Sequence, residues 1–251
     1  MDLEKLKKNV EARGMDFFHA ATAEEAVRHV LEQVQNTTVG IGGSKTVDEL
    51  GLYDELVKNN EVHWHWKDGA TPEVYRAAAE AETYLSGANA IAETGEIVNI
   101  DGKGNRVAAQ SYAVGKRLFI LAGKNKVAPD LTSAIERARN IAAPKNLLRF
   151  PGNRPCTETQ RCWDCRSADR SCCIMQIMMY KPMGSKKVEL ILIDRSLGTE
   201  DSGKPGRGAV PRTGKKPGKN GEGPPMNGGP SSAEPQDLGL EKKFQNCEKN
   251  A

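Results

Sequence analysis

Apolar positions recur at helical spacing in some stretches of this chain and alternate or run together in others. Leu3, Leu6 and Val10 mark one face of a short first helix that Gly14 ends. Thr22 followed by Glu25 is a capping box ahead of Ala26, Val27, Val30, Leu31 and Val34, which predicts a second amphipathic helix. Residues 37–41 then read as a strand running into Gly42, Gly43 and Ser44, and residues 46–58 as a helix with a weak point at Gly51. Residues 62–66 alternate like a strand, and Thr71 with Pro72 opens a helix through Glu80, proline sitting where its missing N–H costs nothing. Three short strands are expected at 83–85, 88–92 and 96–100, with turn signals at Asp101–Gly102 and Gly104–Asn105. Residues 117–122 are almost continuously apolar, as in a strand covered on both faces. A helix follows from Asp130 on Leu131, Ala134, Ile135, Ala138 and Ile141, and residues 188–193 supply a last buried strand. Strands alternating with helices predict an α/β fold, a mostly parallel sheet with helices on both faces. Ligands of such sheets sit outside the carboxyl ends of the strands, so the loops after Ile41 and Ala92 are the places to look.

Composition changes the picture beyond residue 198. Residues 199–251 hold ten of the 25 glycines and seven of the 13 prolines but few large apolar side chains, so this segment is expected to be a disordered tail on a domain spanning 1–198. The 36 Lys and Arg and 33 Asp and Glu divide as 27 against 26 in the domain and nine against seven in the tail. A nearly neutral domain with interspersed charge gives no case for a nucleic-acid partner. Nothing approaches 18 consecutive apolar residues, and the N-terminus has no signal-peptide core, so no membrane association and a cytoplasmic location are expected. Thiols stay reduced there, which makes the cysteines candidates for metal ligation or redox chemistry.

Four constellations carry possible chemistry. Gly40, Gly42 and Gly43 with Ser44 and Thr46 lie between a strand and a helix, where backbone amides can approach an anion; the same residues also suit a tight turn with Ser44 or Thr46 as N-cap. The spacing is neither a Walker loop nor a dinucleotide fingerprint. Glu93, Thr94 and Gly95 close an apolar strand, and Asn105 and Arg106 follow, so a carboxylate and a guanidinium can meet at one strand end, as an acid–base site or as a surface salt bridge. His63 and His65 share one face of a strand without a further ligand type beside them, the pattern of a partly exposed sheet face more than of a metal pair. The fourth is a loop over 150–175 in which Cys156, Cys162, Cys165 and Cys172 fall within 17 residues, with Cys173 adjacent. Thiolates gathered by turns suit tetrahedral zinc or an iron–sulfur cluster, and free thiols are the alternative; the spacing does not choose the metal.

Several segments in order resemble the LUD family of lactate-utilisation proteins of the LutC/YkgG type. They are Gly40 to Ser44; Ala92 to Gly95; Ile97 to Gly102 with Gly104 to Val107; Asn125 and Lys126; Arg139 to Asn146; and Pro155, Cys156, Cys162, Asp164, Cys165, Arg170 and Cys172. The chain departs from the usual pattern at Lys45, Glu96, Ser171 and Cys173. The resemblance implies a fold like that of NagB, RpiA and the CoA transferases, and an association with oxidation of lactate to pyruvate beside iron–sulfur partner proteins. By analogy of fold it implies a small anionic ligand held by Gly42, Gly43, Ser44, Thr94, Gly95, Asn105, Arg106 and Lys126, with Glu93 as a catalytic carboxylate in a transferase or isomerase. A metal-bearing interaction subunit for iron–sulfur proteins is the rival expectation.

Overall fold

The strand predicted from the apolar run at 117–122 is the centre of the molecule. In the computed structural model, which describes residues 1–198, Leu118, Ile120 and Ala122 face one hydrophobic core while Phe119 and Leu121 face another. Period-two alternation on a strand that is almost wholly apolar is what lets both faces be covered.

In chain order the strands are β1 (Asp16–Ala20), β2 (Thr38–Ile41), β3 (Glu61–His63), β4 (Thr83–Gly87), β5 (Ala90–Ala92), β6 (Ile97–Asp101), β7 (Arg117–Gly123), β8 (Val127–Ala128), β9 (Ile174–Met178) and β10 (Lys187–Ile193). The α-helices are α1 (Leu3–Ala12), α2 (Ala23–Gln33), α3 (Lys45–Glu49), α4 (Leu52–Leu56), α5 (Pro72–Glu80), α6 (Asn105–Ser111), α7 (Leu131–Arg137), α8 (Ala143–Leu147) and α9 (Pro155–Thr159). Six strands form a wholly parallel sheet in the order β1-β10-β7-β4-β2-β3. Helices α2, α3 and α4 cover one face through Val30, Val47, Leu52 and Leu56, and α1 and α6 cover the other through Leu6, Val10 and Ala109. The expected α/β architecture is therefore present.

A second, smaller sheet was not foreseen. It has the order β8-β5-β6-β9, with β5–β6 and β6–β9 antiparallel. Ile91, Ile97 and Met178 point from it toward the main core, whereas Ala90, Ala92, Val98 and Ala128 pack with Ala134 of α7 and Ala138. Small side chains on that face bring α7 close.

Several boundaries moved for local reasons. The helix expected over 46–58 is two short helices, because Gly51 takes φ +65° between them. The strand expected over 62–66 ends at His63, where the Asp68 carboxylate accepts the N–H of Trp64 at 2.6 Å and turns the chain. Between α7 and α8 a π-helical turn covers Ala138–Ala142. Pro144 has no N–H to offer the carbonyl four residues back, and a wider turn there relieves the clash. Among the described residues no helix is long and apolar enough to cross a membrane. The expectation for residues 199–251 falls outside the described residues.

Candidate functional site

All strands of the main sheet point the same way, so the loops after β2, β4, β7 and β10 gather at one edge. There Gly43 and Ser44, Gly87 to Asn89, Lys126, and Gly198 line a cleft of about 660 Å³. Ser44 caps α3, its Oγ accepting the N–H of Val47 at 3.2 Å. The backbone of Gly43 faces His65 and Trp66, which a Cβ there would meet at 3.5–3.6 Å. The second wall is aromatic. The rings of His65 and Tyr75 lie 4.7 Å apart, Trp66 stacks on the buried Trp64 at 5.2 Å, and the Arg149 guanidinium lies 4.7 Å from the Trp66 ring. Burial, and then the charge of Lys103, lower the pKa of His65, so the ring is neutral at neutral pH.

Charge in the cleft is one-sided. Lys45, Lys103, Arg106, Lys126 and Arg170 line it against one carboxylate, Asp101. Lys103 Nζ donates to the hydroxyl of Tyr75 at 2.9 Å, and the buried Lys126 Nζ donates to Thr46 Oγ1 at 2.7 Å. Lys45 is engaged by Asp48 at 2.6 Å and Arg170 by Asp164 at 2.9 Å. Arg106 is buried at the back, where its guanidinium donates to Gly87 O, Ile100 O, Asn89 Oδ1 and Asn99 Oδ1 at 2.6–3.2 Å. It thereby ties the end of β4 to β6. Burial works against its charge and the nearby Asp101 supports it.

Of the residues singled out from the sequence, Gly43, Ser44, Asn105, Arg106 and Lys126 meet in this cleft. Gly42, Glu93, Thr94 and Gly95 are not among the residues lining it. Gly42 packs against Tyr84 and Arg106. The Glu93 carboxylate receives the N–H of Asp2 at 3.0 Å, the N-terminal ammonium at 3.4 Å and Lys5 at 3.6 Å. Burial raises its pKa, but the hydrogen bond from Asp2 and these cations outweigh that and lower it, so it is ionised and held by α1. Thr94 and Gly95 likewise face α1, Arg13 donating to Thr94 O at 2.8 Å. His63 contacts Glu61 at 3.3 Å. Reading along the chain did not single out Trp66, Tyr75 or Lys103 for the site, because the fold alone brings these distant segments together.

The cysteine loop forms the third wall through Arg170, Ser171, Cys172 and Cys173. Behind Cys172 lies a separate cavity of about 30 Å³ lined by Cys156, Cys162, Cys165 and Cys172. Burial first, then the thiols of Cys156 and Cys162, push the Cys172 thiol up to about 11, and burial with Cys165 and Cys162 raises Cys156. Among the described residues no group of three or more His, Cys, Asp and Glu side chains is already arranged to hold a metal ion.

A family model described as LUD domain matches residues 3–193. Among solved structures, the crystal structure of a DUF162 family protein from Deinococcus radiodurans is similar, with 12% identity over 76% of this chain and 95% of that chain and a TM-score of 0.46. No curated protein matches the chain.

Proposed function

Because this chain belongs to the LUD domain family, whose members are associated with lactate utilisation, we propose that it serves such a system by binding an anionic ligand in the strand-end cleft. The observation that carries this reading is the charge of the lining: Lys45, Lys103, Arg106, Lys126 and Arg170 line the cleft with Asp101, and although Asp48 and Asp164 pair with Lys45 and Arg170, a positive excess remains. A bound anion is attracted to that excess and gains further as water leaves the cleft.

The size and aromatic wall suggest more than lactate alone. A cleft of about 660 Å³ is in the range that encloses ligands well above a three-carbon acid, and His65, Trp66 and Tyr75 give it an aromatic wall. The ligand class proposed is therefore an anion, phosphate or carboxylate, attached to a larger body. Glu93 is held by the N-terminal segment and does not line the cleft, so no catalytic role is assigned to it. Work beside iron–sulfur proteins of lactate oxidation is part of the proposal and rests on family membership.

Thermal-shift titration of the full chain with lactate, pyruvate, coenzyme A and sugar phosphates tests the reading. A phosphate-bearing ligand is expected to raise Tm by several degrees. Lys103→Ala, a change at an exposed position, should weaken that ligand about tenfold with little effect on the ligand-free Tm. No response to any of the four, or an unchanged affinity in the variant, would overturn it.

A further inference from the structure

The segment between α9 and β9 has little apolar surface to bury, and its largest side chain, Trp163, is 61% exposed. Its order comes from polar contacts and turns. Arg154 donates to Asp169 O at 2.7 Å; Arg170 donates to Cys165 O at 2.6 Å and Cys172 O at 3.0 Å. Two non-glycine residues take positive φ, Gln160 at +54° and Asp164 at +46°. The turn at Asp164 lets its backbone N–H donate to Cys162 Sγ at 3.4 Å. An N–H aimed at the sulfur two residues back stabilises a thiolate in a Cys-x-x-Cys turn, and Cys162 and Cys165 have that spacing.

Cys156 stands on the first turn of α9, and Cys172 comes just before β9. All four cysteines line one small cavity, whereas Cys173, next along the chain, is exposed and lines the large cleft. We propose that Cys156, Cys162, Cys165 and Cys172 bind a single divalent, thiolate-seeking metal ion of the zinc class.

The charge around the cavity is compatible with one ion. Arg139, Arg154 and Arg170 line it with Asp164. Four thiolates and one carboxylate against three guanidiniums and a divalent cation leave no net charge, so the neighbourhood suits the anionic metal–thiolate unit. Among the described residues the four side chains are not preassembled around an ion; on binding, the sulfurs close to about 2.3 Å each, and each thiol gives up its proton to solvent as it ligates.

Elemental analysis of the full chain, purified without oxygen or chelator, tests this. One zinc per chain is expected, and cobalt(II) added after zinc removal should produce the visible bands of a tetrahedral thiolate site. Maleimide labelling read residue by residue should spare the four ligands until a chelator is present, while Cys173 reacts from the outset. Cys165→Ser, at a partly exposed position, should weaken cobalt at least about tenfold, and Cys173→Ser should leave it unchanged. Iron with acid-labile sulfide in place of zinc overturns the single-ion site. So does a metal-free chain whose four thiols react freely or have joined as disulfides.

Discussion

Arg106 shows how far a residue's role depends on surroundings that lie outside its own segment. Next to Asn105 in the sequence it reads as a ligand-binding cation, yet its guanidinium is spent on two carbonyls and two amide oxygens that the fold leaves at the end of β4 and along β6. Removing it takes a donor from each of those acceptors in the interior, although Asn89 Oδ1 and Asn99 Oδ1 keep the N–H groups of Ile100 and Asn89. Arg106→Ala is expected to lower unfolding stability by about 2–4 kcal/mol in urea denaturation, and an unchanged midpoint would show the network to be dispensable. His65 makes a prediction in pH. Its pKa is lowered from 6.5 in the folded chain, chiefly by burial, so below that value the unfolded state takes up more protons. Stability from this group is full above pH 6.5 and is lost as pH falls toward the folded pKa. His65→Gln should flatten the acid side of the stability profile, and an unaltered slope would assign the dependence to other groups.

At the level of elements, helices announced themselves where caps and spacing agree. Thr22 Oγ1 accepts the N–H of Glu25 at 3.1 Å, and Glu25 returns a bond to the N–H of Ala21 at 2.8 Å, much as the capping box implies. Helix α6 was hidden because its cap is not at its start. Asp101, at the end of β6, accepts the N–H groups of Arg106 and Val107 at 3.1 and 3.3 Å, while Gly104 and Asn105 look like a turn. Among the described residues strand β1 lies at an edge and pairs with β10 alone. Strand β9, Ile-Met-Gln-Ile-Met, edges the small sheet with two of its five residues exposed and one buried, so alternation is weak in both. The break at Gly51 was legible as a weak point, and its cause is backbone conformation. A Cβ there would meet nothing within 4 Å, so Gly51→Ala should cost about 1 kcal/mol through its positive φ alone, measured by chemical denaturation. A loss several times larger would indicate a packing role.

For the molecule as a whole, the rule that parallel sheets bind ligands at their carboxyl edge located the cleft from sequence, through the loop after β2. The loop after β5 turned instead toward α1, because β5 belongs to the second sheet and Glu93 meets the N-terminal segment. The aromatic wall and the cysteine wall come from segments far apart in the chain, and no local pattern records their meeting. Since Lys103 in the cleft lining is exposed to solvent, anion affinity should fall several-fold when ionic strength rises from roughly 0.05 to 0.5 M. Salt-independent binding would mean that the ring faces, not the charge, supply the affinity.

Arg170, Ser171 and Cys172 are walls of both the cleft and the small thiol cavity. If the ion and the anion both bind as proposed, two sites with a common partition are linked in the thermodynamic sense: any shift the ion imposes on Arg170 or Cys172 is felt by the anion, and reciprocity requires the anion to change the affinity of the ion by the same factor. Affinity for the small molecule would then read out metal supply, through a wall between two chemistries that never touch.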